Sequence, residues 1–209
     1  MSPVSTKSLE EEFNLLGALD SARVPFLYLS SSRAIRSLVD ALPLDQTSFD
    51  KESVNMTMAE TALLNYLKQS IHLPKSLRIG ETASLLYLST KPTHSNHNRP
   101  QPNFHLDPLF DDAEFRLNVW IATEDVRTQP LAFVKPESVV PERIQHRRVS
   151  SLLEYDQDHE YVFVPSMKAY EMLVFKGTHV YHGVPFFPPE EGFNGDRVCV
   201  VASLGIYPK

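Results

Sequence analysis

The chain has a single cysteine, Cys199, among 209 residues, so it holds no internal disulfide framework, as suits a reducing compartment. Long apolar runs are also missing. The longest, such as "ASLLYL" at 83–88, are far too short to span a bilayer. The opening MSPVSTKSLEEEF has no apolar stretch and brings acids early, unlike a signal or transit peptide. These absences predict a soluble, cytoplasmic protein with no membrane partner. Positive charge is scarce too, with 20 Lys and Arg against 26 Asp and Glu and a net charge of -6. A general binder of phosphate backbones needs a basic face, so no nucleic acid partner is expected. The small cluster Arg143, Arg147 and Arg148 reads as solvated surface. No P-loop, no G-x-G-x-x-G, no G-x-S-x-G and no C-x-x-C pair occurs.

What is present points to one ordinary globular domain over 1–209, with 42% hydrophobic residues. Residues 1–75 read as a largely helical support. Leu9, Phe13, Leu16 and Leu19 recur at helical spacing. Ser31-Ser32 precede a stripe of Ile35, Leu38, Val39 and Leu42 that Pro43 ends, and a third helix is predicted from about 58 to 69. "VPFLYL" (24–29) reads as a short strand between the first two. Residues 76–209 read as a β-barrel core. Strands are predicted at 76–79, 83–88, 104–106, 115–123, 131–134, 161–164, 171–175, 179–184 and 197–207, many separated by Pro, Gly, Asn or Asp. Many short strands with few helices between them favour a sandwich or barrel, and helices placed first should cover one sheet. Loops 89–103 and 187–196 are placed to act as lids.

Within "NFHLDPLF" (103–110), strand parity aims His105 and Asp107 at one point and turns Leu106 away. Chance alone supplies roughly 0.4 copies of H-x-D in this composition, so the tripeptide needs support from elsewhere. An imidazole and a carboxylate are two of the three ligands of a two-His-one-carboxylate metal site. The third has to be a histidine brought in by the fold. His179 and His182 lie three apart in "HVYHGV", so only one can face inward in a regular strand. His182, followed by Gly183 and an apolar segment, is the expected ligand, and His179 the outward one. Arg197, fifteen residues after His182, opens the last strand. A buried Arg there calls for an anion, either a ligand carboxylate or one of Glu190, Glu191 and Asp196.

This set, His-x-Asp, a distal His and an Arg on the final strand, resembles the signature of the Fe(II)/2-oxoglutarate-dependent oxygenases. "RLNVWIATEDVRTQPLAFVKPESV" is similar to the strand-turn-strand of the phytanoyl-hydroxylase-like branch. "LNVW", "PLAF", "VFVPSM" and "EMLVFK" look closest to the methoxylase- and hydroxylase-like group of secondary metabolism. The resemblance spans roughly 76–207 and implies a mainly β fold: a double-stranded β-helix, a jelly-roll, cupin-like barrel, with the N-terminal helices packed on one sheet. It implies that His105, Asp107 and His182 bind Fe(II), that 2-oxoglutarate and O2 are co-substrates, and that Arg197 clamps the distal carboxylate of 2-oxoglutarate. A small molecule would be oxidised by hydroxylation, desaturation or cyclisation. The chain departs from the common R-x-S/T pattern with Arg197-Val198-Cys199, which places Cys199 on the inward face.

Strand 115–121 alternates Phe115, Leu117, Val119 and Ile121 with Arg116, Asn118 and Trp120. If helices cover the outside, the apolar set packs against them. Arg116 and Asn118 then reach the interior as cofactor- or substrate-binding groups, and Trp120 forms a wall. Two other readings stay open on sequence: a cupin-like metalloenzyme that does not use 2-oxoglutarate, and a non-catalytic barrel that binds a ligand. The sequence does not give the oligomeric state.

Overall fold

The computed structural model describes residues 7–8, 15–21, 24–43, 50–52, 56–90, 104–126, 130–148, 150–183 and 197–209. The elements run β1 (Lys7–Ser8), α1 (Leu15–Ser21), β2 (Leu27–Ser30), α2 (Arg33–Asp40), β3 (Asp50–Glu52), α3 (Met58–Ser70), β4 (Leu77–Thr90), β5 (Phe104–His105), β6 (Phe115–Ala122), β7 (Ala132–Val134), β8 (Ile144–His146), β9 (Ser151–Leu153), β10 (Tyr161–Phe163), β11 (Met172–Lys176), β12 (His182–Gly183) and β13 (Arg197–Pro208). One sheet has seven strands in the order β1-β2-β11-β6-β13-β4-β3, and a second has six in the order β10-β7-β12-β5-β9-β8.

The helices begin where capping residues allow. Ser32 accepts a hydrogen bond from the Ile35 N–H at 3.1 Å, which satisfies one orphan donor of α2. Thr57 and Glu60 form a reciprocal capping box on α3, and Tyr87 of β4 donates to the buried Glu60 carboxylate at 2.7 Å. Apolar residues of α1, α2 and α3 pack with one face of the seven-stranded sheet. Leu15, Leu19, Ile35, Val39, Leu63 and Leu67 share a core with Phe115, Leu117, Val119 and Ile121 of β6 and Val200, Ala202 and Leu204 of β13. The expected cover of helices on one sheet is therefore observed. The other face of the same strands, including Trp120, Cys199 and Val201, joins Phe133 and Phe175 in a second core inside the molecule. Burial of each such side chain stabilises by roughly 1.5–3 kcal/mol.

Several expectations change. The strands predicted at 76–79 and 83–88 are one, β4, and the Gly80-Glu81-Thr82 stretch between them is not a turn. Opposite it the register on β13 shifts between Leu204 and Ile206, so the extra residues are absorbed by an irregularity in the ladder. Gly80 fits there because a Cβ would run into the Tyr207 ring. Strands β8 and β9 were not foreseen. They are short and half-polar, and they exist by pairing: β9 with β5, and β8 with β9. Among the described residues of the segment predicted at 179–184, only His182–Gly183 is strand, and a turn occupies 177–180. The first helix begins at Leu15, while Leu9 and Phe13 fall outside the described residues. So do the expected lids, apart from residues 89 and 90, which close β4.

Candidate metal centre

His105 and His182 are brought together by the six-stranded sheet. They are direct cross-strand partners in the β5–β12 ladder, with ring centroids 4.5 Å apart. Asp107 lies two residues past the end of β5. Leu106 N–H still donates to Ser151 O of β9 at 2.9 Å, but Asp107 N–H donates to Gly177 O, just beyond β11, at 2.9 Å. The chain thus leaves one sheet at His105 and is caught by the end of the other at Asp107. The expected convergence of the two side chains holds, although the strand ends at His105 and not at Leu106 as predicted.

The Asp107 Oδ1 lies 3.6 Å from His105 Nε2, and its Oδ2 lies 3.5 Å from His182 Nε2. One ligand atom from each of the three residues fits within a mutual distance of 4.8 Å, the one such group found among the described residues. Side-chain exposure falls from 42% at His105 through 14% at Asp107 to 6% at His182, so the group opens to solvent on the His105 side. His182 is held from behind. Its Nδ1–H donates to Val180 O at 2.9 Å, which leaves the Nε2 lone pair facing Asp107 and His105. The rings of Phe175 and Phe133 lie 4.7 Å and 6.4 Å from the His182 ring and form its apolar wall.

Burial pushes the His182 imidazole down to about 4, so the ring is neutral at neutral pH. Burial alone would raise the Asp107 carboxyl. The approach of His105, then the charges of His182 and Arg116 and the Asn118 amide, bring it down to about 2. Two features suit a divalent cation: a neutral nitrogen ligand and an ionised carboxylate that already lies among donors.

Asn118, 2% exposed, turns inward and donates through Nδ2 to Asp107 Oδ2. Its Oδ1 accepts from Ser203 Oγ at 2.8 Å. Arg116 Nη2 donates to Ser203 Oγ at 2.8 Å and to Ser84 Oγ at 3.3 Å, and its guanidinium carbon sits 4.7 Å from the Phe110 ring centre. The buried Arg116 Nε has no hydrogen-bond partner among the described residues. Both residues expected at the site from β6 are therefore beside it. Trp120 is buried in the inner core, as a wall residue should be, and Cys199 lies there too. Arg197 opens β13 opposite Thr90, and its side chain lies outside the described residues.

His179 sits exposed in the 177–180 turn. Its ring stands edge-on to Phe115 at 6.0 Å, outside the group of His105, Asp107 and His182. The structure thus places His182, and not His179, beside His105 and Asp107, and a turn rather than strand alternation separates the two histidines. His159 proves to be a buried structural group whose Nε2 accepts the Val140 N–H at 3.1 Å. Arg143 pairs with Asp156 at 2.6 Å, and Arg147 and Arg148 are exposed, consistent with a surface cluster. Sequence reading missed Ser203 and Gly177. Ser203 was visible in principle, as a polar residue at an inward position of β13 in step with Cys199 and Val201. Gly177 has no such pattern. It matters because a Cβ there would collide with Asp107 Oδ2 and lie 2.5 Å from Asn118 Nδ2.

No protein-family model matches the chain, and no curated protein matches it. Solved structures do. An iron and alpha-ketoglutarate-dependent endoperoxidase, NvfI, superposes with a TM-score of 0.61 at 12% identity, over 94% of this chain and 84% of its own. The epimerase SnoN, solved with Fe3+, alpha-ketoglutarate and nogalamycin RO, gives 0.54 at 14% identity, over 91% and 82%. Iron-bound HygX from Streptomyces hygroscopicus gives 0.51 at 10% identity, over 91% and 85%. The chain shares its fold with NvfI, SnoN and HygX, and within that fold it gathers His105, Asp107 and His182.

Proposed function

We propose that this chain is a non-haem Fe(II)- and 2-oxoglutarate-dependent oxygenase that oxidises a small molecule by hydroxylation, desaturation or oxidative cyclisation. The observation that carries the reading is the convergence of His105, Asp107 and His182 on one point that opens to solvent on the His105 side. Two imidazoles and one carboxylate leave positions free on iron for a keto acid and oxygen. The fold shared with NvfI, SnoN and HygX supports the same choice, and the nogalamycin-type ligand of SnoN favours a substrate from secondary metabolism. In this reading the whole chain, 1–209, is one double-stranded β-helix domain with helical support from 1–75.

The chain's own residues divide the work. His182 offers Nε2 because Val180 O holds its other nitrogen, and Phe133 and Phe175 keep water from its ring. Asp107 supplies the anionic ligand, and His105 stands nearest the solvent side. Trp120 closes the interior. Arg197 binds the distal carboxylate of 2-oxoglutarate. Arg116 and Asn118 complete the polar wall beside the metal. Bound iron, with 2-oxoglutarate and O2, supplies the oxidising power, and 2-oxoglutarate leaves as succinate and CO2.

The test is succinate formation by the purified chain. It should need Fe(II), 2-oxoglutarate and O2 together and vanish in His105→Ala, Asp107→Ala and His182→Ala. In Arg197→Ala it should require much more 2-oxoglutarate. Metal-dependent turnover that consumes no 2-oxoglutarate would replace this reading with the cupin-like alternative. Full activity in any one ligand variant would remove that residue from the set.

A further inference from the structure

Asp107 is the ligand least supported by its own strand. It lies beyond β5, and a carboxylate on such a segment turns freely about its side-chain bonds unless something grips it. Asn118 grips it through Nδ2, but an amide can do so in only one of its two flipped orientations. Ser203 selects that orientation by donating its one hydroxyl proton to Asn118 Oδ1 at 2.8 Å. The proton is available for this because Arg116 Nη2, itself 2.8 Å away, donates to the same hydroxyl oxygen. A guanidinium can only donate and a carboxylate can only accept. Every bond between these ends therefore runs in one direction, from Arg116 to Ser203 to Asn118 to Asp107. Gly177 closes the remaining side, where a Cβ would strike both Asp107 and Asn118.

We propose that Arg116, Ser203 and Asn118 form a one-way hydrogen-bond relay from the seven-stranded sheet that positions the Asp107 carboxylate for metal binding, with Asn118 as the positioning residue in contact with it. The proposal rests on reading His105, Asp107 and His182 as metal ligands. It gives Arg116 and Asn118 a task at the metal ligand itself rather than at the co-substrate. Removing a partner that orients a ligand costs roughly 10- to 100-fold in metal affinity.

Anaerobic Co(II) titration of the full chain, followed by its visible d–d absorption, reads the relay without turnover. Urea midpoints of the metal-free proteins serve as the folding control. Wild type should bind and Asp107→Ala should not. Asn118→Leu, similar in shape but unable to donate, should bind roughly 10- to 100-fold more weakly with an altered band pattern. Ser203→Ala should lose a smaller factor, and Ser203→Thr, which keeps the hydroxyl, should recover wild-type affinity. Wild-type affinity and spectrum in Asn118→Leu, with Asp107→Ala still silent, would overturn the relay and leave the metal centre standing. If Asn118→Leu does not fold, the Ser203 pair decides: equal binding by Ala and Thr variants rejects the proposal. Equal Co(II) behaviour in wild type and Asp107→Ala would reject the metal centre, and the relay with it.

Discussion

The two sheets are built differently. The central strands of the seven-stranded sheet are long, with 14 residues in β4, 12 in β13 and 8 in β6, whereas no strand of the six-stranded sheet exceeds three. The long strands pair with one another in nearly continuous register and carry an apolar core on each face. The short strands have few ladder bonds, yet they hold His105 and His182. Asp107 is bound to the exit of the long-strand sheet through Gly177 and Asn118. Under the proposed function, stability and chemistry thus fall on different sheets, and the candidate metal centre lies where the two meet. A metal bound there links them, and any ligand that binds only the folded state stabilises it by mass action.

This contrast can be broken most sharply at the ligands. Asp107→Ala should abolish iron-dependent turnover while leaving the metal-free protein folded, as judged by circular dichroism and a cooperative urea transition. In the long-strand sheet the reverse should hold. Leu117→Ala, in the fully buried core beneath the helices, should cost about 2–5 kcal/mol of unfolding free energy, read by urea denaturation. Surviving folded molecules should bind Co(II) with unchanged affinity.

Gly177→Ala tests the seam between the sheets. Forcing a methyl group against Asp107 and Asn118 should cost about 1–3 kcal/mol and weaken Co(II) binding as well, a double effect that Leu117→Ala lacks. If only stability changes, Gly177 serves the fold and not the ligand.

The pH dependence sharpens the same point. The buried His182 titrates at about 4 in the folded chain against an ordinary 6.5, so between these values the unfolded chain binds the additional proton. The stability of the metal-free protein should be intact above about pH 6.5 and fall progressively toward pH 4. Asp107, held at about 2, adds a further loss only below its ordinary value near 3.8. Replacing His182 by Leu should flatten the fall between pH 6.5 and 4, and an unchanged slope would assign that loss to other groups. The smallest effect is expected at His179→Ala, where Co(II) affinity should stay within twofold of wild type.

The same contrast explains what the sequence reveals. Alternation over eight residues of β6 is enough to separate Phe115, Leu117, Val119 and Ile121 from Arg116, Asn118 and Trp120, because a long strand repeats its pattern. Over two or three residues there is nothing to repeat. β8 and β9 were therefore invisible, and the choice between His179 and His182 fell in a segment with only two strand residues, His182–Gly183, among those described. Gly80-Glu81-Thr82 looked like a turn because punctuation residues mark turns and ladder irregularities alike. The residues that come together were legible in "NFHLDPLF" and "HVYHGV". The grip on Asp107 was not, since the contacts from Asn118, Ser203 and Gly177 come from three strands or strand ends far apart in sequence, and each is a matter of a few tenths of an ångström.

The central claim is that His105, Asp107 and His182 bind iron in a way that leaves room for a keto acid. Anaerobic titration of the protein with Fe(II) and 2-oxoglutarate tests it directly by visible absorption. A weak charge-transfer band should appear only when both are present and be missing from Asp107→Ala. No band in the wild-type protein, or the same band in Asp107→Ala, would contradict it.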